Sequence, residues 1–193
     1  MMKLGILGST KGTDLQAIID AIDQNILNAA IKVVISNSSN AYILERAAMH
    51  NIPHHFISHL DKNREQFDAE LSVILKKYGV NLVLLIGFMR ILSPKFCQEW
   101  KKRILNVHPS LLPKYAGGRD LNVHEEVIKN KDVETGCTLH FVTEAVDSGP
   151  ILIQKRCAVN KNDTPETLKK KVQALEGNAF IEAIKLFQST SVK

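Results

Sequence analysis

Val80-Asn81-Leu82-Val83-Leu84-Leu85-Ile86 is apolar throughout except at Asn81. A strand covered on one face alternates apolar with polar residues, whereas a strand covered on both faces reads as an unbroken apolar run. The stretch therefore predicts the buried strand of a sheet with helices on both sides. Just before it, Phe67, Leu71, Ile74, Leu75 and Tyr78 recur at the spacing of an amphipathic helix. Just after it, Ser93-Pro94 opens another helix, with serine as cap and proline at the first position. Residues 103–107 form the next expected strand.

The same alternation extends toward the amino terminus. Residues 3–7 read as a short strand that meets the loop Gly8-Ser9-Thr10-Lys11-Gly12-Thr13-Asp14. Leu15, Ile18, Ile19 and Ile22 then mark one stripe of a helix, with Thr13 or Asp14 expected as its cap. Residues 31–36 are strand-like, a helix runs through Leu44, Ala47 and Ala48, and residues 54–57 suggest another short strand. Strand and helix alternate to about residue 130, which argues for an α/β fold with an open, mostly parallel sheet. Leu121, Val123, Val127 and Ile128 predict one more helix. Beyond it the texture changes, to strands at 138–142 and 151–159 joined through Asp147-Ser148-Gly149-Pro150. A long final helix carries Leu168, Val172, Leu175 and Ala179, and an Asp-x-x-Glu box of Asp163 and Glu166 is expected to cap it.

Composition bounds the function. The chain has 193 residues, enough for one domain with a large core, and its 45% hydrophobic and 23% charged content is that of an ordinary globular protein. A net charge of +5 suits anionic small substrates. The basic clusters Lys76-Lys77, Lys101-Lys102-Arg103 and Lys169-Lys170-Lys171 fall in separate elements, and aromatic residues make up only 6%. Stacking platforms for bases are scarce, so no nucleic-acid partner is expected. Cys97, Cys137 and Cys157 have no metal-ligand spacing and read as thiols in a reducing compartment. No signal region precedes the first strand, and the longest apolar run, near residues 82–89, is too short to cross a bilayer. A cytoplasmic protein without a membrane partner is the expectation.

The chemistry concentrates in Arg103-Ile104-Leu105-Asn106-Val107-His108-Pro109-Ser110-Leu111-Leu112-Pro113-Lys114-Tyr115. Residues i and i+2 of a strand face the same side, so Asn106 and His108 can aim at one small volume where the strand stops at Pro109. A neutral donor beside a titratable one is what a developing oxyanion needs. Asp147, 39 residues beyond His108, is a candidate acidic partner, although Asp-Ser-Gly-Pro is also ordinary turn chemistry. The loop at 8–14 sits where α/β folds bind phosphate on helix amides, but it matches neither common glycine-rich pattern, and a plain turn is the alternative. Gly87-Phe88-Met89-Arg90-Ile91-Leu92 follows the buried strand and reads either as core packing or as the wall of a pocket for a flat ligand with an anionic tail. Ser110 lacks a nucleophile elbow. His50, His54, His55 and His59 lack the acidic or cysteine ligands of a metal site.

Four segments together resemble the glycinamide ribonucleotide formyltransferases, the folate-dependent enzymes of purine biosynthesis. They are Leu15-Gln16-Ala17-Ile18-Ile19, Gly87-Phe88-Met89-Arg90-Ile91-Leu92-Ser93-Pro94, Asn106-Val107-His108-Pro109-Ser110-Leu111-Leu112-Pro113-Lys114-Tyr115, and His140-Phe141-Val142-Thr143 continuing to Asp147, Gly149 and Pro150. The resemblance implies a Rossmann-like open, mostly parallel sheet with helices on both faces and an added β-hairpin plus C-terminal helix. It also implies one domain over 1–193, with a nucleotide-binding half to about 100 and a catalytic, folate-binding half beyond. The implied reaction moves a formyl group from the co-substrate 10-formyltetrahydrofolate to the amine of glycinamide ribonucleotide, without a metal, in a monomer or homodimer.

By the same resemblance Asn106, His108 and Asp147 form the catalytic trio, with Asp147 expected to raise the His108 pKa. Arg64, Met89, Arg90, Ile91, Leu92, Asn106 and Thr143 are the implied folate contacts. Gly12, Thr13, Asp14 and Glu176 are the implied ribonucleotide contacts. Asp14 stands where asparagine is common, so backbone N–H groups are expected to hold the phosphate. Tyr115-Ala116-Gly117-Gly118-Arg119-Asp120 also differs from the commonest form of that loop. The competing readings are a formyltetrahydrofolate hydrolase, whose relatives carry an extra amino-terminal domain, and a non-catalytic folate- or nucleotide-binding module. Relatives acting on initiator tRNA or nucleotide sugars usually extend well beyond this length.

Overall fold

A computed structural model describes residues 1–118 and 121–190. In chain order its elements are β1 (Met2–Leu7), α1 (Thr13–Asp23), β2 (Ala29–Ser36), α2 (Tyr42–Met49), β3 (His54–Phe56), α3 (Arg64–Lys77), β4 (Leu82–Leu85), α4 (Pro94–Glu99), β5 (Ile104–His108), α5 (Leu121–Lys129), β6 (Glu134–Phe141), β7 (Ile151–Ala158) and α6 (Pro165–Thr190). The strands form one sheet in the order β3-β2-β1-β4-β5-β6-β7. Neighbours from β3 to β5 are parallel, and β6 and β7 add antiparallel to that edge. The α/β architecture is the expected one. Its last third does not stand apart, because β6 pairs directly with β5.

The apolar run at 82–85 shows why the sheet is buried on both sides. Leu82 and Leu84 join a core with Leu4 and Ile6 of β1, Leu15 and Ile18 of α1, and Phe180 and Ile184 of α6. Val83 and Leu85 face the opposite core, made with Phe67, Leu71 and Leu75 of α3 and Phe96 and Trp100 near α4. Each such side chain, fully withdrawn from water, contributes about 1.5–3 kcal/mol. Truncating Leu84 to alanine is expected to cost about 2–5 kcal/mol because neighbours fill the space only partly.

Helix starts were partly legible. Ser93 caps α4 through its Oγ, which accepts from the Phe96 N–H, with Pro94 first in the helix. The cap of α1 is neither Thr13 nor Asp14 but Gly12, left-handed at φ 67° and without a side-chain cap bond. A Cβ there would meet Ile43 Cγ1 at 2.5 Å, so close packing of α2 selects glycine. The box on α6 is not Asp163 with Glu166. Thr164 and Thr167 exchange side-chain and backbone bonds instead, while Asp163 is engaged by Lys171, the Asn160 N–H and the Thr167 hydroxyl. Helix α3 begins three residues before Phe67 because Asn63 and Gln66 form a reciprocal capping box.

β1 lies between β2 and β4, so the chain leaves it toward opposite sides and a crevice opens beyond the carboxyl ends of the strands. The loops there are stitched together. Ser9 donates its N–H to the Gly87 carbonyl at 3.1 Å, and its hydroxyl accepts from the Met89 N–H at 2.9 Å. Among the described residues no helix is long and apolar enough to cross a membrane.

Candidate active site

The cleft beyond β4 and β5 is open to solvent on one side and has an interior volume of about 180 Å³. One wall is the segment 87–92. The floor carries Asn106 and His108, and the connection from β6 to β7 folds over the opposite side. Asn106 pairs with Leu85 of β4 and with His140 of β6, which places its carboxamide between two strands. β5 ends at His108, as the proline after it requires. The same-side reading of Asn106 and His108 holds, and both line the cleft.

His108 lies between two acceptors. Its Nδ1 is 3.2 Å from Asp147 Oδ2, and its Nε2 is 2.9 Å from the Tyr115 carbonyl oxygen. Asp147 sits in the left-handed region, φ 51°, within the turn that the sequence suggested. Turn residue and acidic partner are therefore the same residue. Its Oδ2 also accepts from the Gly117 N–H at 2.9 Å.

The expected upward shift of His108 does not result. Burial lowers the imidazole below its ordinary value, and the Asp147 charge and the Tyr115 carbonyl oppose this without reversing it; the nearby His140 adds to the lowering. For Asp147, burial would raise the carboxyl. Hydrogen bonds from His140 and Gly117, with the His108 charge, prevail and hold it below the ordinary range.

His140 is a site residue that sequence reasoning missed. It is buried, its Nδ1 lies 2.9 Å from the Phe141 carbonyl, and its Nε2 lies 3.2 Å from Asn106 Nδ2 and 3.5 Å from Asp147 Oδ1. The Phe141 carbonyl takes a hydrogen at Nδ1, while Nε2 reaches two partners: carrying a hydrogen it donates to Asp147 Oδ1, and without one it accepts from the Asn106 amide. Where it forms, the bond from Asn106 fixes the carboxamide orientation and occupies only one of its two N–H groups. His140 stood in the sequence, but its place opposite Asn106 depends on the antiparallel register of β5 and β6.

Met89, Arg90, Ile91, Leu92 and Thr143 all line the cleft. Arg90 stacks over the Phe67 ring at 4.7 Å, and its buried Nε has no hydrogen-bond partner among the described residues. Arg64 is exposed in the first turn of α3 and lies outside the cleft lining, although its charge reaches the buried Asp68. Gly12, Thr13, Asp14 and Glu176 also lie outside that lining. Thr13 is exposed at the start of α1, while Asp14 turns inward and is only 6% exposed. Burial pushes the Asp14 carboxyl up to about 7, and its Oδ1 finds no hydrogen-bond partner among the described residues. Glu176 is buried in α6, and both carboxylates act on the Cys137 thiol. Helix α6 approaches α1 so closely there that a Cβ on Gly177 would sit 2.7 Å from Ala17 Cβ.

Other candidates are spent structurally. Ser110 is buried and donates its hydroxyl to the Lys114 carbonyl. His54, His55 and His59 go separately to Ile52, Tyr78 and Asn37. Among the described residues no cluster of three or more His, Cys, Asp or Glu has the placement to hold a metal ion. Of the altered loop, Arg119 and Asp120 lie outside the described residues.

Known proteins share both sequence and shape with this chain. The phosphoribosylglycinamide formyltransferase of Escherichia coli is 38% identical over 193 residues, covering 100% of this chain and 90% of that protein. The trifunctional purine biosynthetic protein adenosine-3 of Chironomus tentans is 41% identical over 194 residues, and the chain spans only 14% of its length. A crystal structure of glycinamide ribonucleotide transformylase 1 from Symbiobacterium toebii superposes with a TM-score of 0.93 at 38% identity, covering 98% of this chain and 89% of that one. The open sheet with helices on both faces is thus the fold of those enzymes. With residues 2–184 matching the formyl transferase family as well, the chain belongs to that family.

Proposed function

We propose that the chain transfers a formyl group from 10-formyltetrahydrofolate to the amine of glycinamide ribonucleotide. The observation that carries this reading is the convergence of Asn106, His108 and Asp147 in one cleft with an apolar wall. The wall of Phe88, Met89, Ile91 and Leu92 suits a flat ring system. Arg90, which lines the cleft, suits the acidic tail of a folate, and Arg64 is the second cation proposed for that tail. For the ribonucleotide, the reading places the phosphate at the backbone amides of Gly12 and Thr13, beside Asp14, and the sugar or amine near Glu176.

In this mechanism the substrate amine attacks the formyl carbon, and the carbonyl π electrons move onto the formyl oxygen. The free N–H of Asn106 and protonated His108 stabilise that oxygen. The new carbon–nitrogen bond stays as the carbon–nitrogen bond to the folate breaks. The attacking nitrogen loses one proton overall, and the departing folate nitrogen gains one, with His108 as carrier. Asp147 holds the imidazolium in place. Net products are the formamide and tetrahydrofolate, with no oxidant or reductant.

The test follows folate product by ultraviolet absorbance, with and without glycinamide ribonucleotide. The proposal expects product only when the amine is present. Equal rates with and without it would mean that water is the acceptor and would replace transfer by hydrolysis.

A further inference from the structure

Between the segment after β5 and the α5–β6 connection, one polar cluster remains without a role. The Tyr115 hydroxyl donates to Asp132 Oδ2 at 2.8 Å and accepts from Asn130 Nδ2 at 2.8 Å. Lys114 Nζ donates to both Asp132 oxygens, at 2.6 and 2.7 Å. Tyr115 itself is left-handed at φ 63°. A bulky aromatic residue rarely adopts that region, and such strain persists only where the surroundings over-determine it. The clamp on the hydroxyl supplies that determination. The carbonyl of the same residue accepts from His108 Nε2 at 2.9 Å and from the Gly118 N–H at 3.2 Å. Ser110 pins the preceding carbonyl of Lys114 at 2.6 Å.

We infer that Asp132, acting through Tyr115, is a positioning residue for His108, an assignment that rests on the formyl-transfer reading. It fixes the carbonyl that receives the Nε2 hydrogen. A neutral imidazole has one N–H and would turn a lone pair toward one of its two acceptors, Asp147 or Tyr115. The imidazolium satisfies both. The Tyr115 carbonyl therefore holds a hydrogen at Nε2 until the developing oxyanion takes its place. Among the described residues, the groups that face His108 are Asp147 from the β6–β7 connection, His140 from β6, neutral Asn106 on its own strand and this carbonyl. Asp132 makes its bonds to Lys114 and Tyr115, so its influence on the imidazole runs through the Tyr115 backbone.

The test uses Tyr115→Phe, which removes one hydroxyl and keeps the carbonyl, together with Asp132→Ala and Asp132→Asn. The full chain with isotope-labelled histidine is titrated by NMR, and His108→Ala assigns the signal. Tyr115→Phe and Asp132→Ala are expected to move the His108 midpoint down by about half a pH unit or more. Their kcat should fall roughly ten- to a hundredfold with little change in KM for the ribonucleotide. Asp132→Asn, which still offers an oxygen to the hydroxyl, should recover most of both effects. A His108 midpoint identical to wild type in folded Tyr115→Phe overturns the inference, as does a loss of kcat with an unshifted pH profile. Should Tyr115→Phe not fold, the Asp132 pair decides by the same criteria. The NMR titration reads His108 even if the wild-type protein transfers no formyl group, so failure of the two readings is distinguishable.

Discussion

Nδ1 of His108 and Oδ2 of Asp147 stand 3.2 Å apart, with side chains only 4% and 10% exposed. The pair joins the end of β5 to a loop that returns from β6, so it tethers two parts of the cleft as well as two charges. Asp147→Asn keeps the size of the side chain and removes its charge. We predict a fall in kcat of roughly a hundredfold or more, a still lower His108 pKa and an unchanged fold by circular dichroism.

The pH profile follows from the same pair. In the proposed mechanism His108 acts protonated, and burial holds its pKa below the ordinary 6.5. kcat/KM should therefore decline as pH rises through a midpoint below 6.5. For stability the sign is set by the unfolded chain, which takes up the proton first as pH falls. The depressed His108 thus loses stability as pH falls from 6.5 through its folded value. Asp147, also depressed, holds its contribution above 3.8 and loses it as pH falls through its own folded value. In thermal melts His108→Gln should lack the His108 component, so its stability relative to wild type should rise as pH falls below 6.5. An unchanged slope in that variant contradicts the assignment.

Asp14 acts in the opposite sense. Its carboxyl is raised to about 7, so its contribution to stability is complete below 3.8 and is lost as pH rises through 7. Each pKa unit corresponds to about 1.4 kcal/mol. Asp14→Asn removes the buried charge, so the variant should melt higher than wild type at pH 8 and differ little at pH 4. Melts that coincide at pH 8 would show that the carboxylate is not held against its charge.

Gly149 controls the loop that carries Asp147. A Cβ there would fall 1.7 Å from the Phe141 carbonyl oxygen, a backbone atom that cannot turn aside. Gly149→Ala is predicted to cost about 1–3 kcal/mol of stability. Turnover should fall further than that loss explains, because Asp147 moves with the loop. Activity retained in proportion to folded protein would argue that the loop tolerates displacement.

Much of this was legible in the residues. The unbroken run at 82–85 gave a two-faced strand, and Ser93-Pro94 gave a helix start, because both signals are local. The side shared by Asn106 and His108 was also local, following from strand period alone. The cap of α1 was missed because Ile43, on another helix, chooses Gly12. The box on α6 shifted by one residue because Lys171 and Asn160 engage Asp163. His140 escaped notice because its partner Asn106 is 34 positions away and met only through strand register. The balance at His108 was misjudged because opposite charge is visible in a sequence, whereas the depth of burial that outweighs it is not.

The most direct test is the turnover of His108→Ala with 10-formyltetrahydrofolate and glycinamide ribonucleotide both saturating, beside Asn106→Ala. Proton transfer and oxyanion stabilisation each contribute about 10² or more in rate. The account predicts that each folded variant loses at least that factor in kcat. His108→Ala turning over at nearly the wild-type rate would contradict it.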